Sequence, residues 1–238
     1  MPASRTTIKT VVKKQPPGIR AGRGPLAPER IAAILKALDE AYPIAKCALN
    51  HSSPWELLVA TILSAQCTDV RVNLVTPALF RRFPTPAAMA KATLPELEAL
   101  IRTTGFFRNK AKSIQGAARK VVAEFGGQIP RTLAELITIP GAARKTANVV
   151  LGVAYGKAEG VVVDTHVLRI ARRLSLAKGD TPQKVERELM QILPQERWIA
   201  FSHQIIHHGR QVCAARKPKC DSCNLEQLCT SKNKTWRS

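Results

Sequence analysis

The chain has 238 residues, with 37 Lys+Arg against 17 Asp+Glu, for a formal charge of +20 and a pI near 10.3. With 45% hydrophobic and 23% charged residues it is globular in composition and long enough to bury a core without disulfides. No apolar run approaches the roughly 18 residues that span a bilayer, and 5% aromatic residues argue against an all-β sandwich. So large a positive excess implies an anionic partner, with nucleic acid the leading candidate.

Residues 1–25 form a basic tail. Arg5, Lys9, Lys13, Lys14, Arg20 and Arg23 occur with no acid, punctuated by Pro16, Pro17, Gly18, Gly22 and Gly24. Without a helical period this predicts a disordered arm able to reach phosphates, while an organellar transit peptide of the same composition stays open. Helical spacing starts at residue 28, where Ile31, Ile34, Leu35 and Leu38 share a face. Further helices are predicted over 54–66, 70–82, 94–103, 114–125, 147–154, 166–176, 182–193 and 196–207. Ser53-Pro54, Thr85-Pro86 and Thr181-Pro182 each place an N-cap before Pro at the first helical position. Thr93 with Glu96, and Thr132 with Glu135, read as capping boxes. Val161-Val162-Val163 is too short to imply a sheet. The expected fold is all-α, with about ten helices.

A helix over 132–138 runs into Pro140-Gly141, which cannot continue it, and another amphipathic helix starts at once. So tight a turn leaves the N–H groups of the second helix pointing outward as an anion site. Lys145 falls in the first turn of that helix beside Arg144, where a cation is disfavoured by roughly 0.3–1 kcal/mol. There it either binds a phosphate as a charged group or, if partly buried and neutral, attacks a sugar C1′ to form a Schiff base. Asp164 precedes Thr165-His166-Val167 as an N-cap. A carboxylate in that place can also stabilise an oxocarbenium-like sugar or orient an attacking group.

Cys213, Cys220, Cys223 and Cys229 crowd one C-terminal window, while Cys47 and Cys67 stand apart as plain buried thiols in apolar helical surroundings. Four close thiolates indicate one metal centre rather than disulfides. Only Cys220 and Cys223 form a zinc-type knuckle; the uneven remaining gaps suit a [4Fe–4S] cluster better, with zinc still open.

Several motifs, in order, carry a resemblance. They are Ser53-Pro54-x-Glu56-Leu57-Leu58, Leu63-Ser64-Ala65-Gln66-x-Thr68-Asp69, the hairpin Pro140-Gly141…Arg144-Lys145-Thr146-Ala147-Asn148, Val163-Asp164-Thr165-His166, His208-Gly209-Arg210 and the four-cysteine loop. From about residue 28 to 232 the chain resembles the endonuclease III family, helix-hairpin-helix DNA glycosylases with an iron–sulfur cluster. The resemblance implies two helical domains with the active-site cleft between them. One is a six-helix barrel over 47–157 that carries the helix-hairpin-helix (132–155); the other joins 26–46 to 158–238 and holds a 4Fe-4S cluster on Cys213, Cys220, Cys223 and Cys229. It further implies a monomeric bacterial cytoplasmic enzyme acting on double-stranded DNA. That enzyme would excise oxidised pyrimidines and cleave 3′ to the abasic site, with Lys145 as the Schiff-base lysine and Asp164 as the catalytic aspartate.

DNA contacts are expected at Gly141, Ala143 and Arg144 of the hairpin, at Arg216, Lys217 and Lys219 of the cysteine loop, and at His166. Gln66 matches the residue that fills the gap opposite the orphaned base. Where the family commonly has Gly-Leu-Tyr this chain has Gly105-Phe106-Phe107. The two phenylalanines cannot both face inward, so Phe106 is assigned as the second wedge, with core burial as the alternative. Ala143 replaces a family glycine. If its φ must be positive, alanine costs roughly 1–2 kcal/mol and DNA binding or turnover should be weaker. The rivals are a non-catalytic DNA-binding module, a monofunctional glycosylase of the same superfamily and a zinc-containing nucleic-acid binder.

Overall fold

The computed structural model describes residues 24–235, so the predicted basic tail lies almost wholly outside the described residues. Among these are eleven α-helices, four short 3-10 turns and no strand. The helices are α1 (Pro28–Ala41), α2 (Pro54–Leu63), α3 (Asp69–Arg82), α4 (Pro86–Lys91), α5 (Leu94–Ile101), α6 (Phe107–Phe125), α7 (Leu133–Leu136), α8 (Arg144–Tyr155), α9 (Thr165–Arg173), α10 (Pro182–Ile192) and α11 (Trp198–Gln211).

The start signals act as the chemistry of orphan N–H groups requires. Ser53, Thr85 and Thr181 accept from the backbone N–H three residues on, and Thr93 with Glu96 closes a complete capping box. The second expected box is half formed. Thr132 accepts from the Glu135 N–H, but the Glu135 carboxylate takes the Thr132 hydroxyl instead of the backbone. Helix ends depart further from expectation. α2 stops at Leu63 rather than 66 because the chain turns through Gln66, whose φ is 52°. α6 starts at Phe107, a full turn and more before its apolar period becomes evident, and α9 stops at Arg173 ahead of Ser175 at φ 53°.

Two apolar cores result. The first buries Leu57, Leu58, Leu63, Leu79, Leu97 and Ile114 with Val150 and Leu151 of α8. The second brings Ile34 and Leu38 of α1 against Val167, Ile170, Val185, Leu189, Phe201 and Ile205. Val161 and Val163 are buried in that second core as extended chain without a ladder. At the seam, Gly152 of α8 faces Ile199 of α11 so closely that a Cβ would lie 3.2 Å from the Ile199 side chain. Arg210 of α11 also pairs with Asp69 at the start of α3 at 2.6 Å. No described helix is long and apolar enough to cross a membrane.

Candidate active site

The hairpin turn is built by Gly141. Its φ is 80°, and a Cβ there would lie 3.0 Å from Ser113 and 3.3 Å from Ile62, so both conformation and space require glycine. The Ala142 N–H closes the turn on the Ile139 carbonyl at 2.9 Å. Ala143 then caps α8 in extended conformation, with φ −62° and ψ 165°. The strain that a positive φ would have imposed at Ala143 is therefore absent: the positive φ falls on Gly141, and alanine is unstrained where it stands. No side chain caps α8, so its first N–H groups remain directed outward at the positive end of the helix.

Lys145 follows within that first turn. It is exposed at the helix end and lines a cavity, without the partial burial on which the neutral-amine reading depended. Its amine has no hydrogen-bond or ion-pair partner among the described residues. Arg144 is occupied differently, since its Nε donates to both carboxylate oxygens of Glu186 on α10 at 3.0 and 3.1 Å.

Asp164 is the N-cap of α9, and its Oδ1 accepts from the N–H groups of His166 and Val167, both at 2.8 Å. Oδ2 takes no hydrogen bond among the described residues. Next along, His166 Nδ1 lies 3.1 Å from Arg169 Nη2, which also donates to the Gly209 and Cys213 carbonyls. Burial lowers the affinity of His166 for a second proton, with Arg169 and Arg210 adding to that effect against the nearby Asp164. Gly209 permits this packing, because a Cβ there would come within 2.6 Å of the ring.

These residues converge. Lys145 and Asp164, from two different helix starts, line one cavity of about 660 Å³ together with Gln66 and His166. The profile of the HhH-GPD superfamily of base excision DNA repair proteins matches residues 59–195. Endonuclease III of Synechocystis sp. is 57% identical over 203 residues, spanning 85% of this chain and 93% of the relative. The Bacillus subtilis endonuclease III is 42% identical, spanning 84% and 92%. The chain belongs to the endonuclease III family. A trapped endonuclease III–DNA covalent intermediate superimposes with a TM-score of 0.81 at 43% identity, covering 85% of this chain and 95% of that one. A thermostable thymine-DNA glycosylase shares the fold at TM-score 0.76 and 20% identity. As a family member the chain is a DNA glycosylase of base excision repair.

Within this endonuclease III fold, the two wedge candidates share an unusual backbone. Gln66 and Phe106 are both exposed and both left-handed, at φ 52° and 49°. Phe106 is 65% exposed, whereas Phe107 packs on the first core, so the burial alternative for Phe106 does not hold. Lys217 is left-handed too, at φ 49°, and Arg216, Lys217 and Lys219 are all exposed. Phe106 and the cysteine-loop cations do not line the cavity; they stand apart from it.

Sequence reasoning missed part of the lining. Cys47 and Cys67 are half-buried loop residues facing the cavity, not buried helical thiols, and burial pushes the Cys47 thiol up. His203 and His207 of α11 also face it, and burial of His203 beside His207 disfavours a proton there. The only signal for this histidine pair is the helical spacing around His208-Gly209-Arg210.

The four clustered cysteines line a second, small pocket and none is in a disulfide. Arg173 Nη1 donates to Cys213 Sγ at 3.1 Å, the Thr235 N–H to Cys220 Sγ at 3.4 Å, and His208 Nε2 lies 3.6 Å from Cys223 Sγ. Burial, with the three other thiols close by, pushes Cys223 up to about 11; burial holds His208 down to about 4. Thiols this crowded, with donors directed at the sulfur atoms, suit a centre that supplies positive charge. Among the described residues no group of three or more His, Cys, Asp or Glu closes around a single metal ion.

Proposed function

We propose that the chain is a bifunctional DNA glycosylase and abasic-site lyase that removes oxidised pyrimidines from duplex DNA. The observation that carries this reading is the presence of Lys145 and Asp164 on one cavity large enough for an extruded nucleotide. The uncapped start of α8 offers N–H groups and a positive dipole end to a backbone phosphate, which would bring the sugar beside Lys145. Gln66 and Phe106 are taken to fill the space that the extruded nucleotide leaves, offsetting part of the few kcal/mol of unstacking.

In this mechanism the Lys145 amine, once it has given a proton to solvent, attacks C1′, the glycosidic bond breaks, and the base departs with the electron pair and a proton from the nitrogen. The remaining amine proton passes to O4′ as the C1′–O4′ bond breaks and the ring opens, giving the Schiff base. Removal of a C2′ proton then expels the 3′ phosphate. The free Oδ2 of Asp164 stabilises positive charge developing on the sugar, while Oδ1 keeps the carboxylate in place through its two capping bonds. His166 lines the same space.

Cys213, Cys220, Cys223 and Cys229 would hold the 4Fe-4S cluster, whose four irons tolerate their uneven spacing. When bound, the cluster cross-links the loop that presents Arg216, Lys217 and Lys219 to phosphates. The retention of both Lys145 and Asp164 at the cavity disfavours a non-catalytic module. Borohydride trapping on an abasic-site duplex tests the assignment. Wild type should form a covalent protein–DNA adduct, and Lys145→Ala should form none; strand scission persisting in Lys145→Ala would refute it.

A further inference from the structure

We propose that Glu186 is a positioning residue that aligns Lys145 with Asp164 across the seam between the two cores. Glu186 is 6% exposed on α10, and its carboxylate is approached from three separate segments. Arg144 Nε donates to both oxygens at 3.0 and 3.1 Å, and Asn148 Nδ2 donates to Oε1 at 2.8 Å, so two side chains of α8 are held one residue before and three after Lys145. The third segment is the chain leading to Asp164. At Gly160, four residues before it, a Cβ would come within 2.2 Å of Glu186 Oε1 and 2.5 Å of Asn148 Nδ2. One carboxylate therefore touches the supports of both residues assigned to the chemistry.

Stability is a poor reason to keep this trio. Asn148 is 4% exposed, yet its Oδ1 has no hydrogen-bond partner. An ion pair whose carboxylate is buried, beside an orphaned amide oxygen, carries a desolvation cost that offsets much of its attraction. What the trio does supply is direction: hydrogen bonds fix the rotation of α8 and its distance from α10, which apolar contacts leave looser. Arg144 then serves as the tether of α8, and the uncapped N–H groups receive the phosphate without it.

The proposal rests on Lys145 being the nucleophile, and its test separates the two. Single-turnover borohydride trapping at saturating enzyme, together with duplex affinity, is measured for wild type, Glu186→Gln, Arg144→Gln and the double variant. Each single change should slow trapping on the order of tenfold or more, as expected for a small displacement of a reacting group. Affinity should stay within about threefold, and the double variant should be no slower than either single, since the two residues act as one unit. Arg144 is 46% exposed, so its variant carries the test should Glu186→Gln fail to fold. Trapping at the wild-type rate would overturn this proposal alone. So would a loss confined to affinity with a shallower salt dependence in Arg144→Gln, the behaviour of a phosphate ligand. Absence of a wild-type adduct would overturn the Lys145 assignment and this proposal with it.

Discussion

Phe106 combines two unfavourable features: a large ring left 65% in water and a backbone at φ 49°. A left-handed residue other than glycine costs roughly 1–2 kcal/mol, and such strain collects where a side chain must be presented rather than packed. Phe106→Asn should relieve part of that strain, since asparagine tolerates this region, and raise the melting temperature by an amount equivalent to up to about 1 kcal/mol. The same change should weaken binding to abasic-site duplex and slow base excision. A stable variant with undiminished excision would show that the ring has no part in opening the duplex. The pair Phe106-Phe107 was divisible in the sequence into one outward and one inward ring because both cannot share a helix face. The left-handed turn was not visible there, since neither Gly105-Phe106 nor Ala65-Gln66 carries the Asn or Asp that usually marks such a site.

Helix α8 differs from most of its neighbours at its start. Ser53, Thr68, Thr85, Thr93, Thr132, Asp164 and Thr181 each cap a helix with a side-chain oxygen, whereas Ala143 has none to offer. Ala143→Asp should therefore stabilise the free protein by about 0.5–2 kcal/mol in thermal or denaturant unfolding. It should also weaken duplex binding sharply, because the new carboxylate occupies and repels the site where a phosphate would dock. Ala143→Gly, by contrast, has no left-handed strain to remove. Most helix starts were legible because a Ser, Thr or Asp before an apolar period has one cheap use; Asp164 reads as such a cap and Lys145 as a cation out of place, and their chemical roles came only from the family resemblance. The Glu186 trio and the His203–His207 face were not legible. Residues 144, 148, 160 and 186 meet only after two cores have packed, and nothing in local spacing encodes that meeting.

The formal charge of +20 exceeds what a single nucleotide pocket needs, and part of it is displayed away from the cavity. Arg216, Lys217 and Lys219 are exposed on the loop between Cys213 and Cys220. Replacing each with alanine should weaken binding equally for damaged and undamaged duplexes and flatten the logarithmic salt dependence by about one unit per residue. A substitution that altered lesion preference instead would place that side chain in the pocket. The second core has a different consequence. It pairs α1, made first, with α9 to α11, made last, while residues for the first core are contiguous between them. On the ribosome the middle of the chain can collapse as soon as α8 emerges, yet α1 must wait with its apolar stripe uncovered until the C-terminal helices arrive. The loop that finally closes between α1 and its partners is then spanned by a finished body rather than by loose chain, which lowers the entropy lost in bringing the two ends together.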